Sequence, residues 1–466
     1  MVAHASSPDA SLGERLFREI RFARPPAAMS CATCHLSDGA HGRAFADAAA
    51  RSAVPAQSED GRELTPRHAS TLIESAEQGG WGLLHWDGEF TSMEDLVRAT
   101  FAGRNFGWLP DEHSAALARF AAVIRCDGGD AASGRVSYAA LFRDCAGGLD
   151  VAAASDAQIF DASARFVAEF VRTLRLSRDG EGRHNGSPYD AFLAANRLPR
   201  APNPGETPHE YARRLHNAVA ALRKPTFIDD PTRRLARHDQ PFRFGEEELR
   251  GMRIFFRGAM GYVRSASAGN CAECHVPPHF TDFGFHNTGA TQDRYDAVHG
   301  EGAFAKAAVP ALAERNAAPE RHLPPSVAHP RAAGPWREAP MRDDPARVDL
   351  GLWNIYANPA LQAPQTAIER QLNRTGVLSR EAVLALTLAR FKTPSVRNLG
   401  GEGPLLHDGS TRSLESVVRL YRQMSDLARD GAMRNAPPEF AAMSLADDDV
   451  APLLAFLRSL NEGAAR

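Results

Sequence analysis

Three stretches of the chain carry apolar residues at helical spacing. In "SLGERLFREI", Leu12, Leu16, Phe17 and Ile20 fall on one face, and Ser11 with Glu14 three residues on reads as a capping box. "FGEEELRGMRIFFRGAMGYV" has acids in its first turn and Leu249, Met252, Phe255 and Phe256 at helical spacing. "DDDVAPLLAFLRSLNE" closes the chain with a stripe through Val450, Leu454, Leu457 and Leu460. Alternating strand patterns are few. Stretches 196–210 and 316–346 are rich in Pro, Ala and Arg and read as surface loops or linkers. The pattern predicts a mainly α chain with long loops, in two halves built alike. Each half opens with an amphipathic helix and ends in a helix.

After the opening helix of each half comes the same pentapeptide. Residues 31–35 read Cys-Ala-Thr-Cys-His and residues 271–275 read Cys-Ala-Glu-Cys-His. C-x-x-C-H is the attachment signature of c-type haem. The two thiols add to the two porphyrin vinyl groups, and the adjoining histidine offers an imidazole nitrogen to the iron. The competing readings are a zinc half-site, a redox dithiol or a disulfide. A zinc site would need clustered partners at C-x-x-C or H-x-x-x-H spacing nearby, and none is present. Cys31, Cys34, Cys271 and Cys274 are therefore expected to carry two covalent haem c groups, with His35 and His275 as iron ligands.

Composition adds limits. The net charge of −3 gives no reason to expect nucleic acid or an anionic membrane as partner. No apolar run approaches the roughly 18 residues of a membrane span. The polar start "MVAHASSPDAS" carries no signal segment and reads as a mature domain whose export signal has been removed. Haem c is attached outside the bacterial cytoplasmic membrane, so a periplasmic location is expected. In that oxidising compartment the remaining cysteines, Cys126 and Cys145, are expected to close a Gly-rich loop as a disulfide; two buried thiols are the alternative.

Further segments resemble those of one family. "HWDGEFTSMEDLV" (85–97), "FTDFGFHNTG" (280–289) and "FKTPSVRNLGGEGPLLHDGSTRSLESVVRLY" (391–421) are similar, in the same order, to motifs of the bacterial di-haem cytochrome c peroxidase and MauG superfamily. The resemblance covers both halves. It implies two cytochrome c-like domains, each binding one haem c: residues 1–235, with an insertion at 126–230, and residues 236–466.

Within that superfamily one position separates the branches. Fourteen residues after the histidine of the H-D-G motif, ordinary peroxidases have a methionine ligand, whereas MauG-like members have tyrosine. Here His407 leads to Tyr421, so the chain resembles the MauG-like, BthA-type branch. Leu414, Val417, Val418 and Tyr421 share a helix face, so a plain core tyrosine is the competing reading. As a ligand, a phenolate is hard and anionic and lowers the potential relative to Met. The resemblance thus implies a six-coordinate His275/Tyr421 haem that stores an oxidising equivalent. The His35 haem would be open or water-bound, since "SEDGRELTP" lacks the family's distal His; His41 and His68 stand nearby in sequence. Trp86, of the W-D-G motif, would relay electrons between the haems, with Trp81 and Trp108 as weaker candidates.

The chain also departs from the family. Leu96 and Phe106 stand where the peroxidases have Gln and the catalytic Glu of the peroxide pocket. A general acid/base is still required to move a proton between the peroxide oxygens. Glu112 is the first candidate, with Asp111, Arg104 and His113 beside it. At the family's calcium site His68 replaces Asn and Glu402 replaces Thr, while Pro404 is kept, which leaves a calcium ion open.

The reading is an enzyme: a periplasmic di-haem c peroxidase acting on hydrogen peroxide. It would hold a two-Fe(IV) state shared through Trp86, and draw electrons from a small cytochrome c or cupredoxin. Two alternatives are an electron-transfer cytochrome without peroxide chemistry and a MauG-like oxidase that modifies a partner protein.

Overall fold

The computed structural model describes residues 7–36, 67–130, 132–145, 147–235, 238–258, 268–400 and 402–462. His41 and the stretch 58–66 lie outside these residues. The described chain is mainly helical, as the periodicity predicts. Its strands form three small antiparallel pairs: Ile228–Leu235 with Gln240–Phe244, Phe285–His286 with Phe391–Lys392, and Glu402–Leu405 with Thr411–Ser413.

The opening helix spans Pro8–Phe17 and is capped by Ser7, whose side chain accepts from Ala10 N at 3.2 Å; Ser11 is not the cap but sits one turn inside. Pro8 at the first helical position suits the earlier start. Leu12, Leu16 and Phe17 are buried as expected. Ile20 is 48% exposed, because the helix ends at Phe17 and the next residues follow a 3₁₀ turn. This helix crosses helix Asp156–Thr173 at Gly13, where a Cβ would stand 1.9 Å from the Phe166 carbonyl oxygen. Only a residue without a side chain allows that approach. Phe22, Phe101, Phe120 and Phe160 complete this first core.

The second core repeats the device. Helix Glu246–Phe256 buries Leu249, Met252, Phe255 and Phe256 against the terminal helix Val450–Ser459. A Cβ on Gly251 would lie 1.8 Å from the Pro452 carbonyl oxygen. Each fully buried Leu or Phe contributes about 1.5–3 kcal/mol. Helices Pro188–Ala195 and Pro208–Ala220 also pack in this second core, through Phe192, Tyr211 and Leu215. By sequence they fall on the near side of the expected division at residue 235.

A third cluster joins the halves through Leu83, Phe285, Trp353, Ile368 and Leu384. The stretch 316–346, expected as surface loop, contributes the buried Trp336 to it. No disulfide links Cys126 and Cys145. Cys126 is exposed at the end of helix His113–Cys126, whereas Cys145 is buried beneath the first helix beside Asp9. Burial pushes the Cys145 thiol up to about 11. No helix among the described residues is long and apolar enough to cross a membrane.

Candidate functional site

The first pentapeptide begins with one helical turn, Cys31–Cys34. Ser30 N donates to Thr33 Oγ1 at 2.9 Å, and His35 N donates to the Cys31 carbonyl at 2.9 Å. The i,i+3 spacing places both thiols on one side of the turn. Burial, with the neighbouring Cys34, pushes the Cys31 thiol up to about 12. Cys34 and His35 open onto a cavity of about 1460 Å³ whose walls include His68, Trp86, Leu96, Trp108 and Lys392. Pockets for drug-sized ligands hold about 300–1,000 Å³, so this space accommodates a large planar group.

The second pentapeptide begins with a tighter turn, Cys271–Glu273, and His275 N donates to the Cys271 carbonyl at 2.8 Å. His275 Nδ1 donates to the Phe280 carbonyl at 3.2 Å. That bond puts the proton on Nδ1 and fixes the ring's orientation, as outer hydrogen bonds do for metal-binding histidines. The intervening loop is clamped from outside. Arg397 Nε donates to the Pro278 carbonyl at 2.7 Å, and Ser395 Oγ donates to the His279 carbonyl at 2.6 Å. Arg397 is held in turn by Asp190 at 3.0 Å, both side chains being buried. Burial opposes charge on both groups, but their mutual attraction outweighs it and holds Asp190 below and Arg397 above its ordinary value.

Tyr421 projects from helix Leu414–Arg429, packing its ring at 5.2 Å from Phe440. Burial, then the thiols of Cys274 and Cys271, push its phenol well above the usual value. The same closeness that opposes ionisation in the bare chain brings the phenol to the second motif. No hydrogen-bond partner among the described residues takes up its hydroxyl. These residues fit a haem that Cys271, Cys274 and His275 would hold, and Tyr421 stands near the same thiols.

Between the motifs lies the W-D-G segment. Trp86 is buried; its Nε1 donates to the His68 carbonyl at 3.0 Å, and its own carbonyl accepts from Lys392 N at 2.8 Å. His68 N donates to the His407 carbonyl at 3.1 Å, and the His407 ring stacks on Phe391 at 3.6 Å. Arg67 binds Asp87 at 2.6 Å and Asp349 at 2.6 and 2.8 Å, a buried triad that ties the segment to the second half. Trp108 also lines the cavity, while Trp81 packs on Phe285 in the third core.

The distal acid/base candidates divide. Glu112 does not line the cavity: its carboxylate accepts from Leu109 N at 2.8 Å and pairs with Arg24 at 3.2 Å, so it is spent on a local cap. Arg104 and His113 do line the cavity, and Asp111 does not. Lys392, passed over in the sequence, lines it too, and burial pushes its ammonium down to about 8. So do Glu74 and His279, which no local motif marks. At the altered calcium position, His68 and Pro404 both stand beside Gly409. An imidazole is a poor substitute for the oxygen ligands that calcium prefers.

Fold and site define a mainly α protein with two C-x-x-C-H motifs, one in each of two similarly built helical cores. Residues 7–197 match the family model of the di-haem cytochrome c peroxidases. The chain is 37% identical over 76 residues to methylamine utilization protein MauG of Methylophilus methylotrophus. That stretch is 16% of this chain and spans 21% of the MauG length. Among solved structures, the diheme peroxidase BthA of Burkholderia thailandensis E264 matches with a TM-score of 0.50 at 18% identity, covering 97% of this chain and 86% of that one. A MauG-like protein associated with microbial copper homeostasis matches with a TM-score of 0.49 at 20% identity, covering 98% of this chain and 90% of that one. The BthA likeness shows a shared fold.

Proposed function

We propose that this chain is a periplasmic, MauG-like di-haem c peroxidase. It would reduce hydrogen peroxide at the His35 haem and share the resulting oxidising equivalents with a His275/Tyr421 haem. One observation carries the reading: a single cavity runs from Cys34 and His35 past Trp86 to His279 and Lys392 of the second half.

When bound, the two haems supply the redox chemistry of peroxide reduction, in which H₂O₂ takes two electrons and two protons to give two waters. The chain's own residues do the rest. Cys31, Cys34, Cys271 and Cys274 anchor the groups covalently. His35 and His275 would each offer a ring nitrogen to a haem iron, and the Phe280 carbonyl keeps His275 in register. Tyr421 would offer its phenol oxygen to the second haem, whose iron charge would favour the ionised form. Trp86 is the relay between the halves. Arg104 and His113 take over from Glu112 the handling of protons at the peroxide. Electrons come from a small periplasmic donor such as a cytochrome c or cupredoxin.

The test is haem stoichiometry followed by peroxide titration. The purified protein should retain two haems per chain after acid extraction. Its resting electron paramagnetic resonance should show one high-spin and one low-spin centre, and peroxide should remove both signals together. One haem per chain, bound zinc, or two low-spin centres inert to peroxide would overturn the reading.

A further inference from the structure

Three segments far apart in sequence meet beside the cavity, two of them in its wall. Glu74 comes from the first half, His184 from the hairpin that follows helix Asp156–Thr173, and His279 from the loop after the second pentapeptide. His184 Nε2 lies 3.0 Å from Glu74 Oε1, and His279 Nδ1 lies 3.3 Å from Glu74 Oε2. One ligand atom from each residue falls within 4.8 Å of the others. Around a tetrahedral ion with bonds of 2.0–2.1 Å, ligand atoms stand about 3.3 Å apart. We propose that Glu74, His184 and His279 form a site for one divalent transition metal of the zinc and copper class, separate from both haem motifs.

The surroundings fit that role. The imidazoles of Glu74's partners must be neutral to ligate. Glu74 and His184 are buried, and Glu74 and His279 line the cavity, which gives the ion a way in. Arg178 sits 2.6 Å from Glu74 Oε1 and Arg200 NH2 holds the His184 carbonyl at 2.7 Å. Such outer contacts orient ligands. Arg178 also sets selectivity. It neutralises the single carboxylate, so a hard ion such as calcium gains little there, while an ion that favours imidazole nitrogen still finds two. The ion would pin His279, next to the Phe280 carbonyl that orients His275. This inference does not rest on peroxide chemistry.

Chelator-treated holoprotein, with both haems in place, would be titrated with Zn²⁺ by calorimetry and assayed for zinc per chain. One equivalent should bind, and excess Ca²⁺ should not displace it. His279→Ala and Glu74→Gln should weaken binding at least tenfold, while His209→Ala, at an exposed histidine, should leave it unchanged. Zinc K-edge absorption on the unmutated protein should report two imidazole ligands, which keeps the test decisive if a variant fails to fold. No saturable binding, equal binding in all variants, displacement by Ca²⁺, or a zinc shell without two imidazoles would overturn the site.

Discussion

The indole Nε1 of Trp86 donates to the backbone carbonyl of His68 at 3.0 Å, and the two rings stand 5.3 Å apart. The acceptor is a main-chain oxygen, so the hydrogen bond orients the indole without offering a base. Trp86→Phe should keep both haems and lose about 1–2 kcal/mol through the missing hydrogen bond and the smaller ring. Freeze-quench spectroscopy after peroxide should show oxidation confined to the first haem. Undiminished oxidation of both would take Trp86 off the path.

Tyr421→Met would exchange a hard anionic donor for a soft neutral one. The potential of the second haem should rise, and each 59 mV is a tenfold change in the one-electron equilibrium, about 1.4 kcal/mol. Redox titration of the variant checks this. The stored two-equivalent state should disappear while the haem count stays at two. If neither the potential nor the low-spin signal moves, Tyr421 is a core residue.

Arg397 should prove costly to remove. Truncation to Ala leaves Asp190 buried without its partner, a change worth about 3–5 kcal/mol. It also frees the Pro278 carbonyl, so the loop carrying His275 should loosen. Denaturant unfolding should show the loss, and the low-spin signal of the second haem should broaden. Asp190→Asn, which keeps the shape, should cost less.

Glu462 gives a pH dependence. Burial raises its carboxyl from an ordinary 4.5 to about 7, although Ser177 N donates to it at 3.0 Å. The folded chain therefore holds this proton more tightly than the unfolded chain. Its contribution is complete below about pH 4.5 and is lost as pH rises through 7. At 1.36 kcal/mol per unit, the loss amounts to at most about 3 kcal/mol. Melting temperatures of the unmutated protein and Glu462→Gln should agree near pH 4.5 and diverge by pH 8, with the variant higher.

Much of this was legible in the sequence because local spacing carries it. Helical periodicity gave Leu249, Met252, Phe255 and Phe256 as a buried face, and the fixed reach of two vinyl groups makes C-x-x-C-H readable without a fold. Tyr421 stands at a counted offset from His407, and the thiols of Cys274 and Cys271 act on its phenol. What failed depended on side chains choosing among several neighbours. Glu112 stands in the right stretch, yet the Leu109 N–H and Arg24 claim it. Ser7 captures the helix start that Ser11 offered. Cys126 and Cys145 sit on one loop but face solvent and core. Glu74, His184 and His279 had no signal at all, since only the folded chain brings 74, 184 and 279 together.

Gly13 stands 18 residues before Cys31, and Gly251 stands 20 before Cys271. At both, the backbone of the crossing helix occupies the space a methyl group would take. In a saturation library scored only for folded protein, these two glycines should therefore be as intolerant as the cysteines, though neither touches the chemistry. Such a map would show two matching gaps at nearly equal offsets. It would expose the doubled architecture of the chain from viability alone, with no haem spectrum and no assay of turnover.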